Sequence, residues 1–164
     1  MIATSPAVSL ARQPLGENDR LTVLYTRDFG KVAIRFVGVL KPKAKLKALS
    51  EPLIWGDYRL YLREAAEYGK CVGGGLVTAF PAIRADLKRT GTALGFLELM
   101  NRLTPVRSPS PAKYELLTEA LAALEAADAP WLPLAFTLRL FELAGFGMRE
   151  AGWIREEVHD GVAT

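Results

Sequence analysis

The spacing of apolar residues changes at Pro81, and that change constrains the fold more than any single motif. Upstream, apolar and polar residues alternate in short runs; downstream, the apolar ones recur every three or four positions. A period of two is the pleat of a strand, and a period near 3.6 is the turn of a helix. Strands gathered in one half and helices in the other exclude repeated βαβ units and leave an α+β chain. At 164 residues the chain can bury one good core, or two small domains that share an interface.

The first half holds five strand candidates. Residues 2–13 form the first, closed by Pro14, Leu15 and Gly16. DRLTVLYT (19–26) and KVAIRFVGVL (31–40) flank a turn at Arg27-Asp28-Phe29-Gly30, the layout of a hairpin. LIWGDYRLYLR (53–63) alternates again, and CVGGGLVTAF (71–80) is the last candidate. Five short strands with a longer link between the third and fourth fit a small closed barrel of the OB type over residues 1–80.

Residues 81–164 read as an α-helical domain. PAIRADLKRTGTALGFLELMNRL (81–103) has helical spacing, with Pro81 suited to the first turn. TPVRSPSP (104–111) breaks it, and Ser110 is placed to cap a second helix running to Ala127. WLPLAFTLRLFELAGFGM (131–148) is apolar almost all round, which predicts the buried centre of the bundle, ended by Gly145 or Gly147. Arg149 to Thr164 suggests a short, poorly packed helix.

Composition narrows the function. Half the residues are apolar and 24% are charged, a globular profile. No run of ~18 uncharged apolar residues exists to cross a membrane. The N-terminus has neither the basic start nor the apolar stretch of a signal peptide. A single cysteine (Cys71) and a single histidine (His159) argue against a disulfide framework or a zinc site and fit a reducing cytoplasm. No cofactor is expected. Residues 1–80 carry 12 Lys/Arg against 7 Asp/Glu, whereas residues 81–164 carry 9 against 11. The positive charge therefore lies in the barrel half, which points to a polyanion surface there.

The search for catalytic groups is empty. KCVGGGLV (70–77) lacks the Gly-Lys-Ser/Thr ending of a phosphate loop and sits in a β-rich run, so a bulge or bend explains its glycines better. Cys71 has no histidine near it in sequence, and the pairs Glu64/Glu67 and Glu156-Glu157 read as solvated faces. The chain is not expected to be an enzyme.

Binding residues are easier to find. Lys41, Lys43, Lys45 and Lys47 stand at every second position in GVLKPKAKLKAL (38–49), with Pro42 favouring an extended backbone. Such a row either guards a sheet edge against aggregation or approaches phosphates. Along 31–40, Lys31 and Arg35 lie opposite Val32, Ile34 and Phe36; along 53–63, Trp55, Arg59, Tyr61 and Arg63 lie opposite Ile54, Tyr58, Leu60 and Leu62. Arg20 and Arg27 flank the second strand. Rings interleaved with cations suit single-stranded nucleic acid, with bases stacking and Lys/Arg following phosphates. The other reading packs Trp55 and Tyr61 against the helices.

Several stretches together resemble the bacterial recombination mediator family RecO. GENDRLTVLYTRDFGK (16–31) is similar to its hairpin GE-x-DR-x-x-x-x-x-T-x-x-x-GK, and the lysine segment, followed by Pro52, falls where the family has a basic connection. LVTAFPAIRADLKR (76–89) resembles the family join F-P-x-[IL]-R-x-D-L; FLELMNRLTP (96–105), the Tyr114–Leu124 helix and LRLFELAGFGM (138–148) follow in family order. The resemblance covers roughly residues 8–148. It implies an OB-fold that binds single- and double-stranded DNA and anneals strands. It also implies contact with the C-terminal tail of single-stranded-DNA-binding protein (SSB), partnership with RecR, and help in loading RecA, in a bacterial cytoplasm near the nucleoid. Arg139, with Phe136 and Phe141 beside it, is the candidate clamp for that tail. The family's usual four-cysteine zinc module has no counterpart in a chain with one cysteine. Two rival readings are a non-catalytic protein-interaction adaptor and an OB-type RNA-binding protein.

Overall fold

The computed structural model describes residues 1–145. Five strands, β1 (Ile2–Leu15), β2 (Asp19–Thr26), β3 (Gly30–Phe36), β4 (Trp55–Tyr61) and β5 (Gly69–Thr78), close into a barrel in the order β1-β2-β3-β5-β4. That is an OB-fold barrel. The long β1 serves twice: Ile2 to Val8 pair with β4, and Ala7 to Leu15 pair with β2, across a register shift between Ser9 and Ala11. β3 and β5 close the circle in parallel through only two residue pairs, Ile34 with Gly69 and Arg35 with Lys70.

Inside, alternation places Leu24, Val32, Ile34, Phe36, Tyr58, Leu60 and Cys71 in one apolar cluster. The β3–β4 link stoppers one end of the barrel. Leu49, in a single 3-10 turn at Ala48–Ser50, joins the interior cluster, and the Tyr58 hydroxyl donates to the Leu49 carbonyl at 2.8 Å. The Thr22 hydroxyl donates to the Ser50 carbonyl at 2.8 Å, so the stopper is hydrogen-bonded to the wall it closes.

Four helices follow: α1 (Pro81–Arg84), α2 (Leu87–Leu103), α3 (Pro111–Ala126) and α4 (Leu132–Leu143). The first expected helix is broken in two because Asp86 caps α2, its carboxylate accepting from the amides of Lys88 at 2.9 Å and Arg89 at 3.2 Å. A residue holding that cap has extended backbone and cannot also continue a helix. Glu125 of α3 accepts from the amides of Ala82 and Ile83 at 2.7 and 2.9 Å, closing the start of α1. Arg84 then donates back to the carbonyls of Pro52 at 3.0 Å and Leu53 at 2.7 Å, tying the helices to the end of the barrel link.

The helices rest on the outside of β1 and β2. Val8, Leu10 and Tyr25 from the barrel share one buried cluster with Phe96, Leu97, Met100, Leu117, Leu121 and Phe136. The expected burial of α4 on all sides is overturned. It buries Leu132, Phe136 and Leu140, but leaves Trp131, Leu134 and Leu138 exposed. α2 and α3 each touch the other three helices, and α3 buries six residues, the most of the four. An apolar composition does not say which face finds a partner. Gly147, the end of the third expected helix and the tail from Arg149 lie outside the described residues.

One close approach depends on a glycine. Gly30 has φ +69° at the turn into β3, and a Cβ built there would lie 2.6 Å from the backbone of Ser108, in the proline-serine segment before α3. The adjacent Lys31 carbonyl accepts from the Arg107 amide at 2.9 Å, which fixes that approach. Gly30→Ala is expected to destabilise the protein by about 2–4 kcal/mol, from strained φ and overlap with backbone. Urea unfolding measures it, and a change below ~0.5 kcal/mol would show that the 104–110 segment yields freely.

Candidate nucleic-acid interface

Sorting the expected DNA-binding residues begins with those the fold engages elsewhere. Arg20 lies on the inward period of β2 with Thr22 and Leu24; it is buried and donates to Ser50 Oγ at 2.8 Å and Glu51 Oε1 at 2.9 Å. Its assignment to an open DNA face is therefore corrected: it holds the barrel stopper. Trp55 is half-buried beneath the helices, its Nε1 donating to the Tyr114 hydroxyl at 2.9 Å and its ring stacked on Phe80 with centroids 6.5 Å apart. The packing alternative is the one observed for this ring. Lys31 reaches α2, donating through Nζ to the Asn101 carbonyl at 2.7 Å, and burial pulls its pKa below the ordinary lysine value.

Two more cations face carboxylates at the surface. Arg27 pairs with Asp28 at 3.1 Å, and Arg35 pairs with Asp19. Asp19 also accepts the Gly38 amide on Oδ1 at 2.7 Å. That backbone bond first, and Arg35 second, hold its carboxyl below the usual range. The neighbouring Asn18 carbonyl accepts from the Leu40 amide at 2.9 Å. The β1–β2 turn thus fixes where the lysine link begins.

The link itself differs from its expected form. It is a chain of turns rather than an extended segment, with the Lys41 amide donating to Gly38 and the Ala44 amide to Lys41, both at 3.2 Å. The alternation nevertheless holds. Lys41, Lys43, Lys45 and Lys47 are exposed, while Ala44 and Leu46 pack on the barrel interior. The turns follow the apolar pair inward, so burial rather than strand geometry sets the period.

Beside the link lies the outer face of β4 and β5. Arg59 and Tyr61 are exposed on β4, Arg63 just after it, and Lys70 opposite Tyr61 on β5. Lys70 is missed when strand faces are read only for 31–40 and 53–63; its position next to the inward Cys71 was the available signal. Lys45 and Gly73 line one groove, and Gly73 pairs with Arg59. The link and β4 therefore flank the glycine stretch of β5. None of Lys41, Lys43, Lys45, Lys47, Arg59, Arg63 and Lys70 is in an ion pair among the described residues. These seven can meet an external anion without first breaking an internal one.

On the helical side, Phe136 is buried against Phe96 with centroids 4.2 Å apart, which corrects its assignment to a partner-binding surface. Phe141 is half-buried, and Arg139 is exposed and pairs with Glu142 at 3.2 Å. Burial pushes the Cys71 thiol up to about 11, keeping it neutral at pH 7, and its Sγ donates to the Gly73 carbonyl. His159 lies outside the described residues. Among the described residues no three His, Cys, Asp or Glu side chains gather as metal ligands, and no helix is long and apolar enough to cross a membrane.

The described residues thus form an OB-type barrel with a helical unit on one side and a cluster of cations outside any ion pair on another. Family comparison then names the lineage. Residues 1–80 match the model for the recombination protein O N terminal region, and residues 84–151 match that for the C terminal region. The chain belongs to the recombination protein O (RecO) family. It is 32% identical over 141 residues to the DNA repair protein RecO of Pelotomaculum thermopropionicum, covering 85% of this chain and 54% of that one. The DNA repair protein RecO of Bacillus subtilis is 28% identical over 130 residues, 79% of this chain and 50% of that one. The chain thus spans about half the length of the curated relatives it matches.

Asp19 joins the hairpin, Arg35 and the link, and its titration can be followed. Its folded pKa is lowered, so its contribution is full above the unfolded carboxylate value and fades as pH falls through the folded one. The expected result is that Asp19→Asn is less stable than wild type near neutral pH, with a gap that holds steady down to the unfolded carboxylate range, about 4, and closes below it. A gap independent of pH in urea titrations would rule out the carboxylate charge as its source.

Proposed function

We propose that this chain is a non-catalytic DNA-binding part of a recombination and repair mediator, working in the bacterial cytoplasm near the nucleoid. Its barrel contacts single- and double-stranded DNA through the lysine link and the open β4–β5 face, and brings complementary strands together. The carrying observation is a cluster of charge: the helices occupy the β1–β2 side, while seven cations without an ion pair among the described residues lie on the link, on and just after β4, and on β5. Phosphate contacts of this kind bind every sequence alike, as annealing requires. Assistance in loading RecA, and partnership with RecR, follow from family membership and belong to the same proposal.

With about four phosphates contacted on a single strand, affinity should fall roughly fifty-fold between ~50 and ~200 mM salt. Reversing Lys41, Lys43, Lys45 and Lys47 to Glu is expected to weaken binding to all sequences equally and to flatten that salt dependence. Fluorescence anisotropy decides it, and unchanged affinity would leave the lysines as edge protection alone. A chain that elutes early from a single-stranded DNA column in every buffer would be an adaptor. Preference for RNA in competition would favour the RNA-binding reading.

The exposed stripe of α4 supports a second contact. Trp131, Leu134 and Leu138 are 65, 65 and 57% exposed at helical spacing, with Arg139 next to Leu138. An acidic tail ending in apolar residues, such as that of SSB, would meet both charge and apolar surface there. Arg139→Glu is expected to abolish retention by an immobilised SSB tail peptide while DNA binding stays unchanged; equal retention by both proteins would rule the clamp out.

A further inference from the structure

The glycine stretch of β5 is only partly explained by the fold. Gly74 has φ +153°, and a Cβ there would lie 2.5 Å from the Asp57 carbonyl, beside the register shift at Arg59/Leu60, so a glycine is required. Gly73 is not under that constraint. Its φ is ordinary, and an added Cβ would meet only Arg59 Cβ at 3.8 Å and Cδ at 3.9 Å. A bare residue in a strand costs about 0.5–1 kcal/mol relative to alanine. A strand glycine marks a bulge or a place where something else approaches the backbone, and Gly73 sits beside both, next to the bulge that leaves Val72 without a β4 partner and along an open groove.

Gly73 and Gly74 lie along a groove of about 550 Å³ under the lysine link, within the ~300–1,000 Å³ span of small-ligand sites. Val37, Leu46 and Val72 supply apolar walls, and Lys45 stands at the side. Val37 and Val72 remain 56 and 43% exposed, so the walls are unfilled. The barrel's closure explains the opening. β5 pairs with β3 only at Gly69 and Lys70. From Cys71 onward, the backbone edge on that side has no strand partner among the described residues. Apolar walls, a strand edge without a strand partner among the described residues, and the Lys45 ammonium meet at one groove.

We propose that this groove holds one unpaired nucleotide of a bound strand, its base between Val37 and Val72 and against Gly73, its phosphate beside Lys45. This deepens the DNA-binding reading and rests on it. A base has flat apolar faces and a polar edge, which suit the walls and the unpaired strand edge. A peptide strand suits the groove less well, because Gly74 interrupts the pleat such a strand would have to follow. A base inside a duplex is not available to enter. The groove therefore gives single strands an increment over duplex that the lysines, reading phosphates alone, do not.

The test compares wild type with Gly73→Leu, which crowds the groove, and Gly91→Leu, exposed on α2, where an added Cβ meets nothing within 4 Å and which does not line the groove. Val72→Asp, at an exposed wall position, repeats the test should Gly73→Leu fold poorly. Binding is measured by anisotropy on a single-stranded oligonucleotide and its duplex, and by the brightening of 2-aminopurine placed along the single strand. Gly73→Leu is expected to weaken single-strand binding about five- to tenfold, leave duplex binding within about twofold, and abolish the brightening. Gly91→Leu should match wild type. Equal affinity of Gly73→Leu and wild type for the single strand, or losses of the same factor on single strand and duplex, would overturn the inference and leave the DNA-binding reading standing. Failure of the wild type to bind either DNA would instead remove that reading, and the groove's occupant with it.

Discussion

The burial of Tyr25 and Val8 on the outside of the barrel is the constraint from which the rest follows. A small barrel ordinarily keeps its apolar residues inside, yet here an outer face is apolar too and must be covered. The helices cover it, and the cover is tight enough that burial pushes the Tyr25 hydroxyl up to about 12. Once β1 and β2 are committed to that contact, the link and the β4–β5 face stay exposed among the described residues. OB-folds commonly bind along strands 2 and 3. In this chain that region includes Tyr25, Val23 and Lys31, all turned to the helical side.

The shared interface also shows why the two halves are not independent. Arg84 spans from α1 to the link end at Pro52 and Leu53, and Leu53 belongs to the same buried cluster as the helices. Trp55, at the start of β4, is fixed between Phe80 and Tyr114. Cutting the chain near residue 80 would expose Val8, Leu10, Tyr25 and Leu53 together. An apolar patch of that kind invites association rather than leaving a clean barrel.

Much of this was legible in the sequence, and the exceptions share a cause. The strand cores, the hairpin at Arg27–Gly30 and the Ser110 cap depend on neighbours a few residues away, so local pattern reveals them. The inward turn of Ile54, Tyr58, Leu60 and Leu62 follows from alternation alone. What pattern could not show is which outward residue has a distant partner. Arg20 and Arg59 look alike in sequence. One finds Ser50 and Glu51 thirty residues away, and the other finds open solvent. The exposed side of α4 and the break at Asp86 were missed for related reasons. Composition does not reveal packing partners, and a capping carboxylate can override a continuous helical period.

The two readings of the lysine row are physically compatible. β5 carries an unpaired edge beyond Lys70 because its parallel contact with β3 is so short. An open edge beside exposed Val72, Leu76 and Val77 is a template for unwanted strand addition. The link lies over that edge, its apolar Ala44 and Leu46 facing the barrel and its lysines facing out. An incoming protein strand would have to strip water from several ammonium groups with nothing to neutralise them. A phosphate backbone neutralises them as it arrives, releasing its own counterions. The same charges would thus repel one kind of extended chain and admit another, so edge protection and the proposed polyanion binding call for one and the same placement.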